Sequence, residues 1–312
     1  MNPFQEKVII ILLAILVDVL IGDPPNRFHP VAWIGSLIAW LKSHAPHKQS
    51  TWIKFSYGGL IAVAGFLLMG SIGLGLRWLL TFLPTPLDWL LSALILKTLF
   101  AFRMLLTVGK EIHAALLQGN LIEARRLVSW HLVSRDTREL STSQTTAAAI
   151  ESLAENTSDS IIAPLFYFLI LGFPGVLIYR FANTADAMLG YRDEAHEWLG
   201  KLPARMDDFL NLIPARITAF LFLISTPFIG GNVGKAIRIW WQDRYNTSSP
   251  NAGHPMSAAA GVLGIELNKV EYYTLGKNNK EPTDEDLLKM IKLTQSTVIL
   301  FGTFLIIGFF LF

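Results

Sequence analysis

The sequence predicts an all-α, polytopic integral membrane protein with four to six membrane segments. Two features of composition and one of patterning predict this class. Hydrophobic residues make up 52% of the 312 residues, charged residues only 16%, and the mean hydropathy is +0.43. Soluble domains carry about 25% charged residues, so this chain lacks the polar side chains that a water-exposed surface needs. Several apolar runs also approach the roughly 20 residues that cross a bilayer.

Charge and cysteine content exclude several kinds of function. The net charge is only +2, and no basic run alternates with aromatic residues, so no nucleic-acid partner is expected. The chain has no cysteine, which excludes disulfides, thiolate nucleophiles, iron–sulfur clusters and cysteine-ligated zinc.

Four apolar runs are predicted to lie in the lipid bilayer. They cover residues 8–21, 58–83, 87–108 and 296–312. The first has the length of a signal peptide, but Gly22-Asp23-Pro24-Pro25 follows it instead of a cleavage site, so we expect a retained anchor. The third contains Lys97 and Arg103, which are costly inside a membrane.

Proline and glycine interrupt two further runs, at residues 161–182 and 212–230. The first contains the turn signal Gly172-Phe173-Pro174-Gly175. Basic residues usually mark the cytoplasmic side. If every basic segment is cytoplasmic, both broken runs enter and leave on one side, as re-entrant hairpins or in-plane helices, and we favour this arrangement. The alternative is that both runs span, which places only residues 180–211 outside. We expect the inner or plasma membrane, with the active-site loops facing the cytoplasm.

Ionisable residues gather beside the first apolar run and again in the middle of the chain. Asp18 lies inside the first run, and Asp23 and His29 follow it. A single loop histidine is usually structural, whereas a charged group in a membrane segment usually marks a functional site. Arg135 and Asp136 are further candidates, in a segment that a turn followed by a helix cap also explains.

Three carboxylates share one face of a helix predicted over residues 141–162. Glu151, Glu155 and Asp159 are spaced by four, and like charges at that spacing repel. A solvated acidic face is the usual explanation of such a run. Here, however, the helix leads directly into an apolar segment, where unpaired carboxylates are costly. We therefore expect a magnesium ion, which takes one or two carboxylates together with phosphate oxygens.

Amide, acidic and basic side chains continue through the second half of the chain. The candidates are Asn183, Asp186, Tyr191, Arg192, Arg205, Asp208, Asn211, Arg216 and Asn251. Helical spacing joins Arg205 to Asp208, so ion pairing within a helix explains them as well as a binding role does. Arginine is also the residue that grips phosphate through two parallel hydrogen bonds. The turn at residues 249–255 is equally explained as a plain Gly/Pro loop.

These clusters occur in an order that resembles one known family. They are Asp18…Gly22-Asp23-Pro24…His29-Pro30-Val31, Ser134-Arg135-Asp136-Thr137, Glu151-Ser152-Leu153-Ala154-Glu155-Asn156…Asp159…Ala163-Pro164, Asn183-Thr184…Asp186-Ala187-Met188…Gly190-Tyr191-Arg192, Ala204-Arg205…Asp207-Asp208…Asn211…Pro214-Ala215-Arg216 and Ser249-Pro250-Asn251-Ala252-Gly253. From about residue 10 to residue 265 the chain resembles the CobD/CbiB family of cobalamin-biosynthesis membrane proteins. Ala185 stands where the family pattern has leucine. Residues 266–294 match no part of the pattern, and we expect a variable polar loop within one membrane-embedded catalytic domain, residues 1–312.

The resemblance implies adenosylcobinamide-phosphate synthase activity. This reaction joins a propionate of the corrinoid adenosylcobyric acid to the amine of aminopropanol or aminopropanol phosphate. The resemblance also implies ATP as co-substrate and Mg²⁺ as cofactor, and hence an ATP-dependent amide ligase. A complex with other membrane enzymes of the cobalamin pathway is a further expectation.

The resemblance and the clusters together assign roles to individual residues. The metal-holding set is Glu151, Glu155, Asp159, Asp186 and Asp208. The phosphate-binding arginines are Arg135, Arg192, Arg205 and Arg216. The catalytic set is His29, Asp23, Arg135 and Asp136, with His29 as general base for the ammonium group. Corrinoid amides or the acyl group are expected to contact Asn156, Asn183, Asn211, Asn251 and Tyr191.

Two other classes of function remain alternatives at this stage. Intramembrane Asp18, Lys97 and Arg103, with proline-broken runs, are features that transporters and channels also use. That alternative predicts two repeats, and the sequence shows no convincing second copy. A non-catalytic scaffold for corrinoid-pathway enzymes would leave the repelling carboxylates without a purpose.

Overall fold

A computed structural model describes residues 2–46, 50–190, 197–269 and 271–311. In these residues the helices are α1 (Pro3–Ile21), α2 (Pro30–Ser43), α3 (Thr51–Leu80), α4 (Thr85–Lys97), α5 (Phe102–Leu117), α6 (Leu121–His131), α7 (Thr142–Asn156), α8 (Ala163–Leu189), α9 (Lys201–Ile229), α10 (Val233–Asp243), α11 (Gly253–Leu263) and α12 (Asp284–Leu311). A π-helical turn, Thr157–Ile162, joins α7 to α8. Strands β1 (Leu267–Lys269) and β2 (Tyr273–Leu275) form an antiparallel pair.

Five helical segments are long and apolar enough to cross a membrane, which confirms the predicted all-α, polytopic class. They are Thr51–Leu80, Thr85–Leu117, Thr142–Leu189, Lys201–Ile229 and Asp284–Leu311. On α3, Leu60, Leu67 and Leu74 repeat every seven residues and are 63–68% exposed. An apolar face of this kind is unstable in water and suits contact with lipid. Helix α1 is shorter, carries charged residues and lies outside these five segments.

The chain divides into two compact units, and the single membrane-embedded catalytic domain over residues 1–312 stays a prediction. The first unit contains Met1–Ala101, Ala163–Asn211 and Gly308–Phe312, and the second contains Phe102–Ile162 and Leu212–Ile307. Each unit is therefore built from segments that are distant in sequence. In the first unit, the Gln5 amide donates to the Phe309 carbonyl, 304 residues later, at 3.1 Å.

Helix α8 reverses direction at Gly172, as the turn signal predicts. Gly172 has φ 66° and ψ −149°, a conformation that favours glycine. Tyr167 and Tyr179 would be about 18 Å apart along a straight helix, yet their rings stack at 5.2 Å. The Lys7 ammonium donates to the Leu169 and Ile170 carbonyls at the tip, at 3.1 and 3.0 Å. A cation there satisfies carbonyl groups that the turn leaves without helical partners.

Helix α9 is continuous, so a re-entrant hairpin within residues 212–230 is wrong. Pro214 and Pro227 both lie inside the helix. Pro214 has no N–H, and this leaves the Leu210 carbonyl without its helical donor. The Tyr167 hydroxyl donates to that carbonyl at 2.8 Å. The external hydrogen bond replaces the missing helical one, and the 29-residue helix is about 43 Å long.

The second unit buries two short helices almost completely. Helix α7 begins with a capping box between Ser141 and Gln144, and its residues 145–154 are buried. Every residue of α11 is buried. The predicted polar loop at residues 266–294 is instead the β1–β2 hairpin followed by the first turns of α12. There the buried Asp286 carboxylate accepts hydrogen bonds from Lys280 and Thr283, which explains why this polar segment is ordered.

Candidate functional site

The first unit contains a buried ion pair beside a half-buried histidine. The Lys97 ammonium lies 2.9 Å from the Asp23 carboxylate, and the two side chains are 4% and 21% exposed. His29 precedes α2 and makes no side-chain cap bond. Burial lowers the pKa of His29; Asp23 partly opposes this effect, and Arg180 and Lys97 add to it. The His29 ring is therefore neutral near pH 7, as a general base requires.

Asp207 is a buried, hydrogen-bonded carboxylate of the first unit, although the predicted metal ligands include its neighbour Asp208 instead. Asp207 is 7% exposed. Its oxygens accept from the Asn211 and Asn183 amides at 3.0 and 3.5 Å. Asn211 in turn accepts from the Tyr179 hydroxyl at 3.0 Å. Asn183 and Asn211 therefore hold Asp207 in place, a contact that the spacing of four between Asp207 and Asn211 could have suggested.

Two predicted metal ligands, Asp186 and Asp208, lie near Asp207. All three carboxylates are close enough for their charges to interact. Asp208 is also 4.0 Å from Arg205, whose side chain is 73% exposed. Asp208 therefore belongs to this acidic group and also lies near Arg205 on the same helix, as the helical spacing indicates. Tyr191 and Arg192, both predicted substrate ligands, lie outside the described residues.

The second unit contains a separate polar centre around Glu151. The Glu151 carboxylate is 3.9 Å from the Arg135 guanidinium. Glu155, Lys269 and the Tyr273 hydroxyl also interact with it. Burial and the two glutamates raise the pKa of Tyr273. Among the described residues the buried Oε1 of Glu151 has no hydrogen-bond partner. An unpaired carboxylate oxygen is costly to bury, so it marks a position for a cation or a donor.

The other predicted residues of the second unit have different surroundings. Asn156 bridges the junction between α7 and the π-helical turn, because it donates to the Ser152 carbonyl and accepts from Ser160, both at 2.9 Å. Asp159 lies within that turn, where the chain departs from the α-helical spacing on which the shared face was predicted. Such π-helical turns are frequent at functional sites.

Asp136 and Asn251 complete the predicted set. The Asp136 carboxylate is exposed and forms hydrogen bonds with Arg138, which hold its pKa at about 2. It therefore faces Arg138 rather than Glu151. Asn251 is 5% exposed and accepts from Arg216 at 3.4 Å. The structure thus places Arg216 next to Asn251, and their substrate-binding roles stay predictions.

The described residues could offer a metal ion only one or two His, Cys, Asp or Glu side chains at any one place. Over the described residues no group of three or more His, Cys, Asp or Glu side chains is arranged to hold a metal ion. The five predicted metal ligands therefore do not form one such group there. Magnesium needs only one or two protein carboxylates when a nucleotide supplies phosphate oxygens. Glu151 with Glu155 fits that need, because one buried oxygen of Glu151 has no hydrogen-bond partner within residues 2–46, 50–190, 197–269 and 271–311.

The fold and these centres define a multi-pass α-helical membrane protein with buried carboxylate, amide and arginine clusters, a composition typical of a site for a charged ligand. The chain belongs to the CobD/CbiB family, since the family's sequence model, described as "CobD/Cbib protein", matches residues 11–299. The predicted resemblance is confirmed. No solved structure matches this chain.

Three curated relatives show how widely the similarity extends. "Probable cobalamin biosynthesis protein CobD" of Methanothermobacter thermautotrophicus is 40% identical, over 95% of this chain and 96% of its own. "Cobalamin biosynthesis protein CobD" of Dehalococcoides mccartyi is 42% identical, over 87% of each chain. The protein of the same name from Photorhabdus laumondii is 37% identical, over 90% of this chain and 88% of its own.

Proposed function

We propose that this protein acts in cobalamin biosynthesis as an ATP-dependent amide ligase, an adenosylcobinamide-phosphate synthase. Its substrates would be the corrinoid adenosylcobyric acid and aminopropanol or aminopropanol phosphate. Membership of the CobD/CbiB family and the names of the relatives support the pathway. The ligase chemistry is supported by Glu151, whose buried Oε1 lies beside Arg135 and accepts no hydrogen bond from the described part of the chain.

The chemistry requires activation of a carboxylate. An oxygen of the corrinoid propionate attacks the γ-phosphorus of ATP, a P–O bond breaks, and ADP leaves. The amine nitrogen then attacks the acyl carbon, the C–O bond breaks, and phosphate leaves as the amide forms. The ammonium group loses two of its three protons on the way to the amide. The first must leave before the nitrogen can attack, so a base is needed. Magnesium, when bound, neutralises charge on the phosphate oxygens of ATP.

The residues of the second unit suit the phosphoryl step. Glu151 and Glu155 would hold the metal, with Asp159 of the predicted set as a further candidate in the same unit. Arg135 lies 3.9 Å from Glu151, so its guanidinium can meet phosphate oxygens beside a metal held there. The pairing of Arg135 with Glu151 also keeps the guanidinium in position before the nucleotide binds.

The residues of the first unit suit the amine. His29 has a lowered pKa, so its ring is free to accept a proton from the ammonium group near pH 7. Asp207, which accepts hydrogen bonds from the Asn183 and Asn211 amides, offers carboxylate oxygens that can accept from an ammonium ion. We further propose that these polar centres open toward the cytoplasm, where ATP is present.

Product formation tests the proposal directly. Purified, detergent-solubilised protein is supplied with adenosylcobyric acid, aminopropanol phosphate and Mg-ATP, and the amide is sought by mass spectrometry. We expect Glu151→Gln to lower turnover by about 100-fold or more, the loss typical of removing one electrostatic group from a site. Glu123→Gln is the matched control, because Glu123 lies in the same unit in an exposed pair with Arg126.

Two results would count against the proposal. The first is absence of product with a folded protein and all three reactants. The second is a Glu151→Gln variant that keeps the magnesium-dependent turnover of the control.

A further inference from the structure

A cluster of cationic and aromatic side chains surrounds the start of α11. Arg216 comes from α9, Arg244 and Tyr245 follow α10, and His254 lies in the first turn of α11. The Arg244 guanidinium lies over the Tyr245 ring, 4.7 Å from its centroid, and the nearby Arg216 and Arg244 lower the pKa of the Tyr245 hydroxyl. Arg216 also donates to Asn251 at 3.4 Å. Tyr245 therefore lies near both positive charges.

His254 is a buried polar side chain whose ring nitrogens accept and donate no hydrogen bond among the described residues. It is 2% exposed, and over the described residues neither Nδ1 nor Nε2 has a hydrogen-bond partner. Its ring packs against Trp240 and Tyr245, with centroids at 6.0 and 5.4 Å. Burial, with Arg216 and Arg244, lowers the pKa of His254 to about 4. At neutral pH the ring is therefore uncharged and has one N–H to donate.

The backbone at the start of α11 positions Arg244. Gly253 lies against the Arg244 carbonyl, where a Cβ atom would overlap it. This contact fixes the backbone of Arg244 beside the helix start. The His254 N–H donates to the Asn251 carbonyl at 2.9 Å, and Pro255 has no N–H. The side chains around the helix start, rather than its N–H groups, therefore form the positive region.

We infer that Arg216, Arg244, Tyr245 and His254 form a binding site for a phosphate group. Two guanidinium groups match a phosphate dianion, whereas a carboxylate would leave one of them uncompensated. His254 supplies a neutral N–H donor to the same ligand. The phosphate belongs to a phosphomonoester or to the end of a nucleotide. Assigning it to aminopropanol phosphate or to ATP rests on the proposed function, but the affinity for phosphate does not.

Calorimetric titration of the full-length, detergent-solubilised protein tests the site. Inorganic phosphate is titrated first, and then again in the presence of aminopropanol phosphate, aminopropanol or Mg-ATP. We expect inorganic phosphate to bind and one of the two phosphate-bearing reactants to compete with it. Competition by aminopropanol phosphate alone assigns the site to the amine substrate, and competition by Mg-ATP alone assigns it to the nucleotide. Competition by neither would overturn that assignment.

The phosphate affinity of single-residue variants distinguishes binding at this site from a general attraction of anions to a basic protein. We expect Arg244→Ala and His254→Phe to weaken phosphate binding by at least tenfold, and Arg126→Ala, an exposed arginine of the same unit, to leave it unchanged. Unfolding temperatures verify that each variant is folded, and Arg244→Ala decides the matter if His254→Phe does not fold. Unchanged affinity in Arg244→Ala, or no binding of phosphate by the folded parent protein, would overturn the inference.

The same variants distinguish this inference from the proposed function. If no amide is formed but Arg244→Ala still abolishes phosphate binding, the site stands and the proposed reaction fails. If amide is formed and phosphate binding does not depend on Arg244 or His254, the reaction stands and the site fails.

Discussion

Replacing Asp23 with asparagine leaves Lys97 as an unpaired charge in an almost inaccessible position. The Lys97 side chain is 4% exposed and the Asp23 side chain 21%, with 2.9 Å between the charged atoms. Removing one member of a buried pair costs about 3–5 kcal/mol, because the remaining charge keeps its desolvation penalty. Since water reaches part of Asp23, we expect a value near the lower end, about 3 kcal/mol.

The Lys97→Met variant and the double variant complete a thermodynamic cycle. Methionine fills the space of the lysine stem without a charge. We therefore expect Asp23→Asn/Lys97→Met to recover most of the stability that Asp23→Asn loses. Thermal unfolding in detergent measures the effect, and a loss of about 3 kcal/mol corresponds to roughly 5 °C for a chain of this length. The exposed pair Glu123–Arg126, with side chains 39% and 60% exposed, is the control and should change stability by less than about 1 kcal/mol.

The cycle also tests the catalytic role predicted for Asp23. If Asp23 acts only on Lys97, the stable double variant recovers turnover together with stability. If Asp23 acts in the reaction, turnover stays low after stability returns. The reasoning about the ion pair fails if Asp23→Asn costs no more than Glu123→Gln, or if the double variant is as unstable as the single one.

Three further predictions follow from single contacts. Gly172→Ala should lower the free energy of unfolding by about 1–3 kcal/mol, because a Cβ atom strains the backbone at φ 66° and ψ −149°; equal stability in a denaturant titration would refute this. Tyr167→Phe should cost about 1 kcal/mol, since it removes the donor to the Leu210 carbonyl, and a Tyr57→Phe variant, which loses the donor to the Leu41 carbonyl, measures the same loss away from a proline. Burial lowers the pKa of His29, so turnover should rise with pH below about 6.5 and be level at pH 7; His29→Gln should remove this rise and lower turnover by about 10²–10⁴-fold.

The membrane class and several local features could be predicted because they depend on neighbouring residues. Apolar length gives the candidate spans. The turn at Gly172 follows from glycine and proline in an apolar run, and the start of α7 follows from the spacing of Ser141 and Gln144. Hydropathy and capping are properties of a short stretch of chain, so a single sequence displays them.

The features that were missed depend on partners distant in sequence. Helix α9 continues past Pro214 because Tyr167, 43 residues from Leu210, supplies the missing hydrogen bond. The choice of Asp207 over Asp208 depends on Asn183 in another helix. Likewise, the polar segment before α12 is ordered because Lys280 reaches Asp286. No short sequence pattern specifies which distant side chain will supply a hydrogen bond of this kind.

The hydrogen bond between Gln5 and the Phe309 carbonyl sets an order of events during synthesis. The two residues are 304 positions apart, and translation at about 5–20 residues per second separates their emergence by roughly 15–60 s. Helix α1 must therefore wait in or near the lipid while most of the protein is still being made. The first unit can acquire its last native contacts only after the second unit has left the ribosome.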